Sequence, residues 1–297
     1  MKKPKTLLFI GAHPDDESFG PGATLALYAR NGVNVYYACA TGGESGTVDV
    51  KYMNGYASIR DLRQAELACA AQKLGLTQVF NLGYRDSGMP GSSDNQHPEA
   101  LVNTPVESVT AKIVEIIRRI KPQVVLTHAP HGDYGHPDHI AVHKAASAAF
   151  HAAADEIQFT DCGNPFQPQK LYYNVMPHRL FKLFIRILPL LGQDPKRFGR
   201  NHDIDLTTIV NQSLPVTTFI RLDKSSLKSR HDASNCHRSQ VENGFLRRVL
   251  SNLMIKFGNA KDFFSLAYPQ LDSQKQETDL FQGIVDIISR DAFETKV

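Results

Sequence analysis

Two short stretches carry most of the side chains that could do chemistry. The first, Gly11-Ala12-His13-Pro14-Asp15-Asp16-Glu17, packs one imidazole and three carboxylates into seven residues. The second runs His128-Ala129-Pro130-His131-Gly132-Asp133-Tyr134-Gly135-His136-Pro137-Asp138-His139. Histidine and aspartate without cysteine suit a catalytic zinc, which takes three protein ligands and keeps one position open. His13 and Asp16, three apart across a proline turn, can face one ion, and His139 can supply a third ligand. His143, one helical turn further on, is a rival because i and i+4 share a helix face. The same ligand types also tolerate iron. The plainer alternative is that Asp15-Asp16 merely caps the next helix and His-Pro-Asp merely turns. Two such clusters on neighbouring strand ends favour the metal.

The elements that must position them alternate. Strands are expected over Thr6–Gly11, Val33–Ala40, Val79–Leu82 and Val124–His128. Helices are expected over Gly22–Arg30, Ser58–Leu74, Thr104–Ile120 and Ile140–Ala154, with Asn31-Gly32, Leu74-Gly75 and Lys121-Pro122 as stops. This β-α-β-α order predicts an α/β fold, a doubly wound and mostly parallel Rossmann-like sheet with right-handed crossovers. Strand order 3-2-1-4-5 would make strands one and four neighbours at the switch point, where such sheets bind ligands. Both clusters would then meet in one crevice. The turn after strand one lacks G-x-G-x-x-G, which disfavours a dinucleotide.

The second half is less regular. Leu171–Val175 and Val216–Leu222 read as strands, and Asp223–Ser251 as mostly helical. Ser87–Pro98 and Asn201–Pro215 read as loops. With no flexible linker, residues 1–297 are expected to form one domain: a core over about 5–240 and a helical C-terminal extension over 241–297. At 297 residues, such a chain buries about 75% of its unfolded surface and needs no staple. Lys+Arg 33 against Asp+Glu 30 leaves +3, too balanced for a dedicated nucleic-acid binder. Cys39, Cys69, Cys162 and Cys236 are scattered, which argues against a disulfide framework and a thiolate zinc site. Thr6–Ala12 is too short and too soon interrupted to be a signal segment, so a cytoplasmic location is expected.

AHPDDE after the first strand and GHPDH after the fourth resemble the LmbE-like, or PIG-L-type, zinc-dependent N-deacetylases. Gly43-Glu44-Ser45-Gly46, Arg63-Gln64-Ala65-Glu66-Leu67, Leu82–Met89 and His237-Arg238-Ser239-Gln240 extend the resemblance. It covers residues 5–150 closely and continues in patches to about 240; Val241–Val297 matches nothing. The resemblance implies His13, Asp16 and His139 as zinc ligands and Asp15 as general base. It also implies His136 as oxyanion stabiliser oriented by Asp138, with Tyr134 as a mobile active-site residue. Arg63 and Asp86 would touch substrate, and Glu44, in a Gly-rich loop at the same end of the sheet, is a third candidate substrate contact. The implied substrates are N-acetylglucosamine conjugates of inositol, phosphatidylinositol or malate; some members cleave amides of cysteinyl-sugar thiol conjugates.

The chemistry is consistent with those roles. Adjacent residues diverge, so Asp15 is free to move protons while Asp16 holds the ion. A carboxylate beside His136 would favour its charged form. Taken alone, Arg63 and Glu66 read as a surface pair, Glu44 and Asp86 as turn formers, and His237 as a polar helix position. A non-catalytic sugar- or metal-binding protein is the contrasting class, and it would need neither Asp15 nor His136.

His178–Leu191 (HRLFKLFIRILPLL) combines a basic stripe of His178, Arg179, Lys182 and Arg186 with a wide apolar surface. One reading packs it on the sheet or in a homo-oligomer interface. The other lays it on an anionic membrane beside a lipid-linked sugar.

Overall fold

The computed structural model describes residues 4–198, 202–209, 212, 214–241, 260–270 and 276–285. Seven strands form one sheet: β1 Thr6–Gly11, β2 Asn34–Thr41, β3 Gln78–Tyr84, β4 Val124–Thr127, β5 Lys170–Asn174, β6 Thr218–Arg221 and β7 Lys261–Tyr268. Their order is β3-β2-β1-β4-β5-β7-β6. The first five pair in parallel, and β7 pairs antiparallel with β5 and β6. The doubly wound α/β expectation holds. Chain order reverses between β1 and β4, which opens the crevice at their carboxyl ends.

The helices are α1 Asp16–Phe19, α2 Gly22–Arg30, α3 Ile59–Leu74, α4 Val106–Ile120, α5 Pro137–Ala152, α6 His178–Ile187, α7 Leu206–Ile209 and α8 Lys224–Ser234. Strand β1 is buried at every position, as a central strand covered on both faces must be. Leu8 and Ile10 pack with Ile113, Val114, Ile117 and Val142 of α4 and α5. Leu7 and Phe9 face the other way, into a core that includes Leu25 of α2, Leu67 of α3 and Leu227 of α8. Side-chain alternation along one strand thus anchors both helical layers.

Helix α5 begins three residues earlier than Ile140. Pro137 suits the first helical position, where no N–H is needed, and His136 is the N-cap. Asp138 and His139 therefore sit in the first turn, at the mouth of the crevice.

Three expectations are corrected. The C-terminal extension is not uniformly helical, because Lys261–Tyr268 is a strand inserted between β5 and β6. Its sequence, KDFFSLAY, carries only a weak alternation; 242–259 and 286–297 lie outside the described residues. Two of the scattered cysteines pair: Cys69 of α3 is bonded to Cys236, 167 residues away. No sequence spacing announces such a pair, because only the packing of α3 against α8 brings the two together.

The third concerns α6, which does not lie on the sheet. Phe181, Ile185 and Leu188 pack on Leu206, Phe198, Ile204 and Tyr134. Leu183, Phe184, Ile187, Leu190 and Leu191 are exposed alongside Arg179, Lys182 and Arg186. Among the described residues no helix is long and apolar enough to cross a membrane.

The disulfide restrains a long loop of the unfolded chain. The Cys69→Ala/Cys236→Ala double variant should lose about 2–4 kcal/mol of stability in urea titrations against the oxidised protein. An unchanged unfolding midpoint would show that packing alone holds α8 on α3.

Candidate active site

The turn after β1 and the first turn of α5 meet as expected. Asp16 Oδ2 accepts the backbone N–H groups of Ala12 and His13 at 2.7 and 2.9 Å, which fixes the carboxylate. Its Oδ1 lies 3.4 Å from His139 Nε2. His13 Nδ1 is 3.2 Å from His139 Nε2 and 4.0 Å from Asp16 Oδ2. The far nitrogen of each imidazole points to a carboxylate: His13 Nε2 to Asp138 at 3.2 Å, His139 Nδ1 to Asp133 at 3.0 Å.

That arrangement could hold a cation. Carboxylates only accept, so the far nitrogens carry the protons and the near ones present lone pairs to each other. Two lone pairs 3.2 Å apart need a cation between them, a proton or a metal ion. Burial opposes charge on His13, yet Asp86, Asp138 and Asp16 hold its pKa well above the usual value. Ligand atoms on a tetrahedral ion with bonds of about 2.0–2.2 Å lie about 3.3 Å apart, close to the 3.2 and 3.4 Å that separate His139 from His13 and Asp16; His13 and Asp16 are further apart, at 4.0 Å. Imidazole ligands backed by carboxylates are the usual outer support of such a site.

Asp15 diverges from Asp16. Its backbone is left-handed at φ 137°, and Oδ2 accepts from Arg63 Nη2 at 2.9 Å. Arg63 is buried and also donates to the carbonyls of Gly43 and Pro14. Burial pushes the Asp15 carboxyl up to about 6 against the pull of Arg63. Burial likewise works to raise Asp16, but His139 and His128 hold it well below the usual carboxylate range. Neighbouring aspartates are thereby poised for different tasks.

His136 lines the cavity in front of these groups, with His13, Asp15, Arg63, Asp86 and Tyr134. Its Nδ1 accepts from the Asp138 N–H at 3.1 Å, leaving Nε2–H as its donor. Burial, with His13 and His139 beside it, keeps the ring's pKa well below the usual value. A neutral imidazole donor results.

Comparison with known proteins bears on this geometry. A family model described as GlcNAc-PI de-N-acetylase, PIG-L, matches residues 8–150. Over 294 residues the chain is 34% identical to the 1D-myo-inositol 2-acetamido-2-deoxy-alpha-D-glucopyranoside deacetylase of Streptomyces scabiei. That alignment covers 95% of this chain and 90% of the relative. The chain belongs to the PIG-L family. A conserved protein of Thermus thermophilus shares the fold at a TM-score of 0.56 and 20% identity, over 90% of this chain and 96% of that one. The N,N'-diacetylchitobiose deacetylase of Pyrococcus horikoshii does so at 0.54 and 22%, over 88% and 83%.

Within this PIG-L chain most of the expected residues converge, and four do not act as expected. Arg63, expected at the substrate, instead donates through both terminal nitrogens to Gly43, Pro14 and Asp15. His143 is no rival ligand: Nδ1 meets the His128 carbonyl at 3.0 Å and the ring packs on Tyr173. Glu44 does not line the cavity; it pairs with Arg60 and accepts the Asp86 N–H at 3.0 Å, shaping the loop. The Asp138 carboxylate orients His13 rather than charging His136, because its Oδ2 is taken by His13 and the Ser87 N–H. Asp138 holds His136 through its backbone instead.

Several site residues carry no sequence signal of their role. Asp133 bridges His139 and His128, whose Nδ1 it meets at 2.6 Å. Its place in the second cluster is visible in the sequence, but its bridging role depends on loop closure. Asp203 and Ile204 reach the cavity from the irregular C-terminal half, where no periodicity marks them, and Gln240 reaches it from the motif that extends the resemblance.

Alanine at His13, Asp16 or His139 should leave protein without bound zinc after dialysis, while His143→Ala keeps it. Asp133→Asn should weaken metal affinity by about 10–100-fold. Elemental analysis and competition with a chromogenic chelator measure both; metal lost from His143→Ala but kept by His139→Ala contradicts the assignment.

Proposed function

We propose that this chain hydrolyses the N-acetyl group of an N-acetylglucosamine conjugate with an uncharged, inositol-type aglycone. The observation that carries the reaction is the placement of Asp15 and His136 in one cavity wall beside His13, Asp16 and His139. Binding alone would need neither Asp15 nor His136.

The cavity's charge favours the aglycone. Asp15, Asp86 and Asp203 line it, and Arg63 is the one Lys or Arg among the described lining residues. Its two terminal nitrogens already donate to Asp15, Gly43 and Pro14. Away from the metal position, a malate or phosphodiester group on the aglycone would meet carboxylates and, Arg63 apart, no lysine or arginine among the described lining residues. Hydroxyl groups would find Ser45, Thr47, Ser92 and Gln240. The Streptomyces scabiei relative is named for an inositol-linked substrate, in agreement with this charge pattern.

His13, Asp16 and His139 would hold a zinc ion, which supplies Lewis acidity and lowers the pKa of a water molecule to about 7. Asp15 takes the proton from the attacking water and returns it to the leaving amine. Arg63 keeps that carboxylate within the cavity. His136 donates Nε2–H to the developing oxyanion, with its ring fixed by the helix N-cap. Tyr134 stacks edge-on to His136 and His139 and closes the cavity on that side.

Location is a separate matter. We infer that the exposed face of α6 makes peripheral contact with an anionic bilayer. Arg179, Lys182 and Arg186 flank Leu183, Phe184, Ile187 and Leu190, a combination suited to anionic headgroups over acyl chains. A second copy would bring these cations against their own kind.

Three outcomes are expected. Asp15→Asn should keep fold and metal yet lower kcat by roughly 10²–10⁴; near-wild-type kcat would sink the mechanism. Acetate release should be fastest from the inositol conjugate, and equal rates on the malate conjugate would refute the charge argument. Vesicles containing phosphatidylglycerol should sediment the protein, pure phosphatidylcholine should not, and Phe184→Ser should reduce binding with the fold intact. No binding, or a dimer that Phe184→Ser dissociates, would make α6 structural.

A further inference from the structure

The turn that carries Asp15 is braced from an unexpected direction. A non-glycine residue at φ 137° is strained and persists only when its surroundings over-determine it. Arg63 secures the Asp15 side chain and the Pro14 carbonyl. The backbone N–H of Asp15 is secured by Glu17, whose Oε2 accepts it at 3.0 Å.

Glu17 is fully buried. A buried carboxylate without a partner is strongly unfavourable, and the one provided is His237, also fully buried, with Nε2 2.7 Å from Glu17 Oε1. The carboxylate only accepts, so Nε2 carries the proton. The Ser18 hydroxyl donates to the same oxygen at 2.5 Å.

His237 lies past the end of α8, in a segment fastened to α3 at both sides. Cys236 is bonded to Cys69, while the Ser239 N–H and hydroxyl both donate to Glu66 at 2.8 and 2.7 Å. Arg63 is one turn from Glu66 on the same helix. Helix α3 thus holds Asp15 directly through Arg63, and by way of His237 and Glu17.

We infer that His237 is a positioning residue for the base: through buried Glu17 it holds the Asp15 backbone in the left-handed conformation that separates its carboxylate from Asp16. The inference rests on Asp15 being the base. It gives the C-terminal segment a part in catalysis without contact with substrate.

The test compares His237→Leu, which removes the donor, with His237→Gln, whose amide N–H can replace Nε2–H. Steady-state kinetics on the inositol conjugate are read with metal content and circular dichroism. His237→Leu should lower kcat by roughly 10–100-fold with KM within about threefold and metal retained. His237→Gln should recover most of that loss. Wild-type kcat in His237→Leu, a KM effect alone, or equal impairment of both variants overturns the inference. Should the leucine variant not fold, Glu17→Gln carries the same expectation, since an amide cannot accept from three donors as the carboxylate does. Wild-type kcat in Glu17→Gln is then the overturning result. Asp15→Asn, run alongside, separates the two failures. If it keeps wild-type kcat, the reading of Asp15 fails; if it is inactive while His237→Leu is not, only the brace fails.

Discussion

Everything in the site depends on two adjacent aspartates pointing opposite ways. An extended or helical backbone would still turn successive side chains apart, but without reserving one carboxylate for Arg63 and the other for His139. The left-handed conformation at Asp15 does so, and a non-glycine residue stays there only under restraint. Arg63, Glu17 and the two backbone N–H groups that grip Asp16 supply that restraint. The strain is local, and the rigid end of β1 bears it.

Beyond the turn, the site is built as a chain of carboxylates and imidazoles. Asp138 meets His13, His13 meets His139, His139 meets Asp133, and Asp133 meets His128. Each contact sets which nitrogen keeps its proton, so the lone pairs converge on one point beside Asp16. Burial favours this ordering, because an unmatched polar group there is costly; the Asp138 Oδ1 is left without a partner. The α5 N-cap adds a neutral His136 at the cavity wall. Proton placement and the convergence of side chains that could hold a metal are parts of one hydrogen-bond pattern.

Much of this is legible in the sequence. The β-α alternation to Ala152 and the two clusters at the ends of β1 and β4 place the crevice, because periodicity and turn residues are local signals. Roles that depend on distant partners are not legible. Glu44 reads as a substrate contact until Arg60 and the Asp86 N–H claim it. Asp138 reads as a partner of His136 until the N-cap geometry turns its carboxylate to His13. His237 reads as a polar helix position, though it is buried against a residue 220 positions earlier. Strand β7 and the Cys69–Cys236 pair are hidden for the same reason: their partners are set by the sheet edge and by α3 on α8, not by neighbours in the chain.

The divergence of Asp15 from Asp16 is tested most directly by anomalous diffraction from crystals of the zinc-loaded protein. The account predicts one strong peak bounded by His13 Nδ1, Asp16 Oδ1 and His139 Nε2, with Asp15 still on Arg63 and outside the coordination sphere. Neighbouring side chains form three other groupings close enough for an ion: His13–His136–His139, His13–Asp86–His136–Asp138 and Asp16–His128–His139. A peak at any of those, or one coordinated by Asp15, would contradict it.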